Sequence, residues 1–105
     1  MKTDQASATV PLLRALAEPL RWRIVELLAA EELCVCHLVE ELGADQPLVS
    51  HHLRTLRDAG LVEREKYRYW TYYRLCPDAL DALAEGLHTL AASAPAGSER
   101  RRPCC

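Results

Sequence analysis

The sequence contains no apolar run close to the roughly 18 to 20 residues that a helix needs to cross a bilayer. Residues 1–10 also lack the hydrophobic block that a secretory signal peptide carries. We therefore expect a cytoplasmic protein that makes no contact with a membrane. A reducing cytosol keeps thiols free, so the five cysteines, an odd number, favour metal binding or redox sensing over a disulfide framework.

Half of the 105 residues are hydrophobic and 27% are charged, a composition that argues against disorder over most of the chain. The length allows one domain, near the size at which a core either suffices alone or leans on a partner subunit. Charge is unevenly distributed, because residues 46–74 carry six basic and three acidic side chains, whereas residues 1–45 carry four basic and eight acidic ones. The basic middle of the chain predicts a local nucleic-acid patch.

Apolar residues recur at helical spacing and are interrupted by helix-breaking or capping residues. Glu18-Pro19 separates the first two helices, Gly43 closes the third, and Asp45 caps the fourth. The predicted helices span residues 10–17, 19–30, 35–42 and 46–59. Branched and aromatic residues then predict a β-hairpin of residues 61–66 and 69–75, and a last helix begins at Pro77. This order predicts a mainly α fold with a small β-hairpin, a winged helix-turn-helix.

The fourth helix has the chemistry of a DNA-reading helix, which lies in the major groove with its first turns facing the base edges. Its apolar residues are expected in the core: Leu48, Val49, Leu53 and Leu56. Its DNA-binding residues are expected to be Gln46, Pro47, Ser50, His51 and Arg54. Glutamine suits the N6/N7 edge of adenine, and arginine suits the O6/N7 edge of guanine. One of the adjacent His51 and His52 must turn away from the groove.

The predicted hairpin would form the wing. Its basic residues are interleaved with aromatic ones, a mixture suited to straddling a phosphate backbone. Because alternate side chains of a strand point to opposite faces, some of the aromatic residues are assigned to the core. We therefore expect only the tip to touch DNA, with Lys66 and Arg68 as its basic residues.

The run Glu32-Leu-Cys-Val-Cys-His-Leu38, followed by Gln46-Pro-Leu-Val-Ser-His-His-Leu-Arg54, Ala59-Gly-Leu-Val62 and Tyr69-Trp-Thr-Tyr-Tyr-Arg-Leu75, resembles the ArsR/SmtB family. These are metal-responsive bacterial repressors, and the Glu-Leu-Cys-Val-Cys block is typical of the branch that senses trivalent arsenic and antimony. The resemblance implies a homodimer paired mainly through the first and last helices. It also implies that this homodimer binds double-stranded operator DNA and releases it when As(III) or Sb(III), the inducer, binds. No organic cofactor and no enzymatic activity are expected.

Three positions depart from the family pattern. Val39 stands where the best-known arsenic sensors have a third cysteine, and His37 stands where aspartate is commonest. The wing tip has no glycine, so its turn is expected to be wider than usual. With Val39 in the sequence, a third thiolate for the metalloid must come from another part of the chain.

Cys34 and Cys36 are the candidate metal ligands, because soft thiolates select thiophilic ions and a helix N-terminus favours thiolate anions. Residues two apart in a regular helix point about 200° apart, so a shared ion would deform the start of the third helix. That deformation would shift the fourth helix through the turn at residues 43–45. The plainer interpretation of both thiols is hydrophobic packing, which is common for free cysteine.

Residues 1–92 are expected to form the DNA-binding and dimerisation domain, and residues 93–105 a flexible tail ending in Cys104 and Cys105. This tail pair is the candidate source of the missing thiolate. The alternatives are a site of two thiolates, a separate vicinal-thiol site on the tail, or a dispensable tail.

Other functions remain open for this fold. The chain could sense thiol oxidation, or sense cadmium, zinc or lead, with His37 joining the cysteines in a zinc or cadmium site. The spacing of Asp78, Asp81 and His88 does not match the paired zinc sites of some family members. A small thiol enzyme is disfavoured because no anion-binding loop surrounds a cysteine and no acid-base partner is placed for catalysis. A module that binds only protein is disfavoured by the polar face of the fourth helix.

Overall fold

The computed structural model describes the backbone of residues 2–97 and the side chains of residues 9–97. The helices are α1 (Lys2–Leu16), α2 (Pro19–Ala30), α3 (Val35–Leu42), α4 (Gln46–Asp58) and α5 (Pro77–Ser93). The strands are β1 (Leu33–Cys34), β2 (Val62–Tyr67) and β3 (Trp70–Leu75). The mainly helical winged helix-turn-helix predicted from the sequence is confirmed.

The helix boundaries follow from local chemistry. Pro19 lies in the first turn of α2, where its missing N–H costs no hydrogen bond, and the Glu18 carboxylate accepts the backbone N–H of Arg21 at 2.9 Å. Gly43 ends α3 in the left-handed conformation, with φ 63°. Asp45 then caps α4 by accepting the N–H of Leu48 at 3.2 Å. The turn of the helix-turn-helix is therefore closed by a glycine on one side and a carboxylate on the other.

The core lies where α4 meets α2, α3 and the base of the hairpin. The inner face of α4 contributes Val49, Leu53 and Leu56, each completely buried. Leu48, which was expected in the core, is 41% exposed, so that prediction is wrong. The reason is angular: Leu48 lies about 100° around the helix from Val49 and falls outside the narrow stripe that the neighbouring helices cover.

The sheet has the strand order β1-β3-β2 and is antiparallel throughout. Strand β1 pairs Leu33 with Tyr73 and Cys34 with Tyr72, and it was not predicted from the sequence. At the other edge, Tyr67 pairs with Trp70, which leaves a turn of two residues at the wing tip. The expectation of a wider turn is wrong, because Arg68 itself adopts the positive φ, 59°, that a glycine would otherwise supply.

Two helices at the ends of the described region lie side by side. Helix α1 begins at Lys2, earlier than the predicted Val10, and it contains Pro11. Helix α5 packs against it, with Leu12 and Leu83 buried between the helices. Within residues 2–97, none of the helices has the length and apolar character that crossing a membrane would require.

We predict that Gly43→Ala lowers the free energy of unfolding by about 1–2 kcal/mol, because an L-residue is strained in the left-handed conformation that ends α3. No neighbouring atom lies within 4 Å of the added Cβ, so the effect isolates backbone strain. Urea unfolding followed by circular dichroism measures it. Gly97→Ala, at another position where the Cβ meets nothing within 4 Å, is the control and should change stability little. Equal stability of the two variants would contradict the prediction.

Candidate functional site

The outer face of α4 carries the side chains that were predicted to meet DNA. Gln46, Pro47, His51 and Arg54 are exposed, and Ser50 is half-buried. Their burial pattern follows from the apolar stripe on the inner face, which turns the polar residues toward solvent. The structure therefore brings the predicted set together on one exposed surface, which we call the α4 outer face.

Of the two adjacent histidines, His52 is the one that turns inward. It is 6% exposed, and its Nδ1 lies 3.1 Å from a guanidinium nitrogen of Arg21 on α2. Its Nε2 lies 3.7 Å from a carboxylate oxygen of Glu18. Burial lowers the pKa of His52, and the nearby charges of Arg21 and His51 act in the same direction, whereas Glu18 opposes them. Sequence reasoning identified that one histidine must turn inward but did not find its partners, which lie more than thirty residues away.

Within residues 9–97, the wing contains basic residues with acidic partners and basic residues without them. Arg74 forms ion pairs with Glu65 at 2.7 Å and with Glu63 at 3.3 Å, so its charge is largely committed within the hairpin. At the tip, Lys66 and Arg68 are exposed, and among the described side chains neither has an acidic partner within 4 Å. The Arg68 guanidinium lies over the Tyr67 ring, 5.4 Å from its centroid. The tip therefore presents positive charge beside aromatic surface.

The two candidate thiol ligands have different environments. Cys34 is the last residue of β1 and the N-cap of α3, and it is 8% exposed. Cys36 lies in the first turn of α3 and is exposed. Only Cys36 is inside the helix, so the two thiols are separated by the change from extended to helical backbone. One thiol faces the protein interior, and the other faces solvent.

His37 lies close to the Cys34 thiol. Its side chain is exposed, yet its Nδ1 accepts the backbone N–H of Cys34 at 3.2 Å and lies 3.3 Å from the Cys34 Sγ. The His37 ring also faces Tyr72 of β3, with 6.5 Å between ring centroids. Cys34 and His37 thus form a sulfur and nitrogen pair at the N-terminus of α3.

A complete metal site is not preformed in residues 9–97, because no three histidine, cysteine or acidic side chains in that part of the chain are grouped to hold an ion. The predicted ligands Cys104 and Cys105 lie outside the described residues. Cys76 is a free, half-buried thiol whose Sγ lies 3.7 Å from a Glu63 carboxylate oxygen. Burial raises the pKa of the Cys76 thiol, and the Glu63 charge raises it further. This environment disfavours a thiolate at Cys76.

Cys34 is connected to both elements that contain residues predicted to contact DNA. Through α3 and the turn at residues 43–45 it is joined to α4, whose inner face packs against Leu38 of α3. Through the pairing of Cys34 with Tyr72 it is joined to β3, the inner strand of the wing. Cys34 is therefore connected structurally to both α4 and the wing.

Residues 18–64, which include the helix-turn-helix and the start of the wing, match the family described as "Bacterial regulatory protein, arsR family". The arsenical resistance operon repressor of Staphylococcus xylosus is 37% identical over 76 residues, which cover 72% of this chain and 73% of that protein. The chain belongs to the arsR family. Proteins of this family are DNA-binding regulators, so the chain is a transcriptional regulator and not an enzyme.

Two further similarities are to proteins described as regulators of arsenic or arsenical resistance. An arsenic resistance transcriptional regulator of Pseudomonas putida is 41% identical over 78 residues, which cover 70% of this chain and 61% of that protein. The chain thus spans less than two thirds of the length of that relative. A crystal structure described as a possible transcriptional regulator for arsenical resistance superposes with a TM-score of 0.68 at 36% identity, covering 82% of this chain and 98% of that one.

We predict that iodoacetamide alkylates Cys36 faster than Cys34 and Cys76 in the folded protein. Cys36 is exposed, whereas Cys34 is buried and the raised pKa of Cys76 reduces its reactive thiolate. Peptide mapping by mass spectrometry, after short labelling times at neutral pH, gives each rate separately. Labelling in urea is the control, and it should bring the rates together. Faster labelling of Cys34 than of Cys36 in the native protein would contradict the burial described above.

Proposed function

We propose that this chain is a cytoplasmic, metalloid-responsive repressor that binds operator DNA as a homodimer and releases it when As(III) or Sb(III) binds cysteine thiolates. The observation that carries the proposal is the position of Cys34, a thiol placed where β1 ends and α3 begins. Two relatives are named for arsenic or arsenical resistance, which supports this choice of inducer.

For DNA binding, we propose direct contact through the α4 outer face and the wing tip. Gln46, Ser50 and Arg54 are spaced by four residues and share one side of α4, so they can enter a major groove together. Lys66 and Arg68 at the wing tip provide the charge for phosphate contacts, which position a protein on the duplex without reading its sequence. Pro47 and His51 complete the proposed contact surface at the start and middle of the helix.

For dimerisation, we propose a two-fold interface through α1 and α5. Apolar side chains on these helices remain exposed although the two helices pack together: Val10, Leu13, Leu87 and Leu90. Leu90 is the most exposed of the four, at 70%. A partner subunit that covered these residues would remove apolar surface from water and set the distance between two α4 helices.

For metalloid binding, we propose Cys34 and Cys36 as the first two ligands. Because one thiol faces the interior and the other faces solvent, joining them to one ion requires the first turn of α3 to rearrange. Helix α3 has only eight residues, so loss of its first turn removes a large part of the element that supports α4. The rearrangement would also disturb the pairing of Cys34 with Tyr72 in the wing.

Cys104 and Cys105 are the proposed source of a third thiolate, and we assign them to a tail of residues 93–105 that follows a domain of residues 1–92. Helix α5 ends at Ser93. A trivalent metalloid that bound Cys34, Cys36 and a tail cysteine would tie the end of the chain to the start of α3.

A second candidate function is supported by the short distance between Cys34 Sγ and His37 Nδ1, 3.3 Å. Imidazole and thiolate together are ligands that suit Zn²⁺ and its heavier relative Cd²⁺. In this alternative, His37 replaces the missing third thiolate. His37→Gln should then abolish the response to cadmium or zinc.

The decisive experiment is a gel-shift titration of a DNA duplex that the full chain selects from a randomised pool. Parallel lanes contain arsenite, antimonite, cadmium or zinc under reducing conditions. Release by arsenite or antimonite alone supports the metalloid proposal, and release by cadmium or zinc alone supports the alternative. A protein that selects no duplex would exclude specific DNA binding, and release that requires peroxide would assign a redox sensor.

We predict that the double variant Cys34→Ser/Cys36→Ser binds the selected duplex but is no longer released by arsenite. Serine is nearly the same size as cysteine but lacks the soft sulfur that the metalloid requires. Fluorescence anisotropy of the labelled duplex measures both properties. Cys76→Ser is the matched control and should retain full release. A double variant that still releases DNA with arsenite would remove these two thiols from the mechanism.

We predict that Leu90→Glu converts the dimer to a monomer and weakens DNA binding together with dimerisation. The introduced carboxylate would be buried in the proposed interface, whereas it stays solvated in a monomer. Sedimentation equilibrium measures the mass. Ala92→Glu adds the same charge on the opposite side of α5 and should leave the dimer intact. A Leu90→Glu protein that remained dimeric would place the interface elsewhere.

A further inference from the structure

Arg21 joins three elements through one side chain. Its Nε donates to the backbone oxygen of Ala15 at 2.6 Å, and one terminal nitrogen donates to the backbone oxygen of Arg14 at 3.5 Å. The other terminal nitrogen lies 3.1 Å from Nδ1 of His52. Arg14 and Ala15 belong to the last turn of α1, where backbone oxygens lack partners within the helix. The guanidinium of Arg21 therefore links the end of α1 to α4.

The protonation state of His52 follows from this geometry. A guanidinium group has only N–H donors, so Nδ1 of His52 must act as the acceptor and carry no proton. The ring proton of the neutral histidine is then on Nε2, which faces Glu18 at 3.7 Å. A proton on Nδ1 would set two donors, and two positive charges, against each other at 3.1 Å.

We propose that Arg21 is a positioning residue that holds α4 against the end of α1 through neutral His52, and that protonation of His52 weakens operator binding. This inference rests on the DNA binding proposed above but not on the identity of the inducer. It assigns a role in DNA binding to side chains that do not reach the α4 outer face. This role follows from the position of His52 in α4, because its immediate neighbour His51 lies on the α4 outer face.

The direction of the pH effect depends on all charged groups that face His52. Glu18 at the N-cap of α2 favours the protonated form, whereas Arg21 on α2 and His51 on α4 disfavour it. Among the described residues of α1, the contacts with this network are made by backbone oxygens. Burial is the largest influence, and it lowers the pKa of His52 below the ordinary value of 6.5. The contact between Arg21 and neutral His52 is therefore fully present above that ordinary value, and it is lost as the pH falls below it.

Protonated His52 also has a competing partner. Glu18 already accepts the backbone N–H of Arg21 at 2.9 Å, and its carboxylate lies near Nε2 of His52. A charged imidazole would be drawn toward Glu18 and repelled by Arg21, which moves its ring away from the link. Because His52 is fixed on α4, the helix must follow the ring or lose the contact with Arg21.

The test measures the affinity of the full chain for the selected duplex at about pH 7.5 and about pH 5.0, values on either side of the histidine range. The variants are His52→Asn, whose amide oxygen can accept from Arg21 near the position of Nδ1, and the control His88→Asn, which removes an exposed histidine of α5 outside the proposed contact surface. Wild-type affinity should fall by roughly ten-fold at the lower pH relative to His52→Asn, as expected for one lost hydrogen bond to a charged group. His88→Asn should show the same loss as the wild type.

A second variant keeps the test decisive if His52→Asn is poorly folded. Arg21→Lys keeps the charge but cannot bridge the α1 oxygens and His52 together, so its affinity should be low at both pH values and change little between them. Circular dichroism at both pH values checks that each protein is folded. Equal acid-induced loss in wild type, His52→Asn and Arg21→Lys would overturn the proposal. Failure to select any duplex would instead count against DNA binding itself.

Discussion

Three aliphatic side chains on the inner face of α4, Val49, Leu53 and Leu56, are completely buried, and their packing determines where the outer face of the helix points. Full burial of such side chains contributes roughly 1.5–3 kcal/mol each, far more than a single exposed ion pair. Since a helix is a rigid cylinder, fixing one face fixes the other. The polar residues of α4 can therefore vary in chemistry without altering the orientation in which they are presented.

The same packing makes α4 sensitive to its supports. Leu38 of α3 is completely buried against the core, so a change at the start of α3 reaches α4 through close-packed atoms. The link between Arg21 and His52 reaches the same buried side of α4 from α1 and α2. Helix α4 is thus held by an apolar contact with α3 and by a polar contact with Arg21 of α2.

Sequence patterns predicted the helices and caps, which depend on residues close together in the sequence. The apolar spacing and the caps at Gly43 and Asp45 located α3 and α4, and the exposed polar face of α4 agrees with the residues chosen for it. Strand β1 was missed because two residues are too few to show an alternation. Leu48 was misplaced because hydrophobicity alone does not say how wide a stripe the neighbouring helices cover.

The longer-range features had no local signal at all. Arg21 and His52 are far apart in sequence, and nothing near either residue indicates the other as its partner. The approach of His37 to Cys34 depends on the side chain folding back across the first turn of α3. Such contacts are consequences of how the elements pack, so they follow only from the three-dimensional arrangement. The thiol pair itself was identified from residue type, whereas its division into an inner and an outer sulfur was not.

Arg68 at the wing tip serves two purposes that usually fall to different residues. Its backbone adopts a left-handed conformation that costs a non-glycine residue about 1–2 kcal/mol, while its side chain holds a charge beside Tyr67 at the most projecting part of the hairpin. A glycine there would relax the turn and remove the charge. The wing of this chain therefore combines a strained backbone with a cation at its tip. Replacement of that arginine by glycine in evolution would leave a more stable hairpin with less attraction for a polyanion.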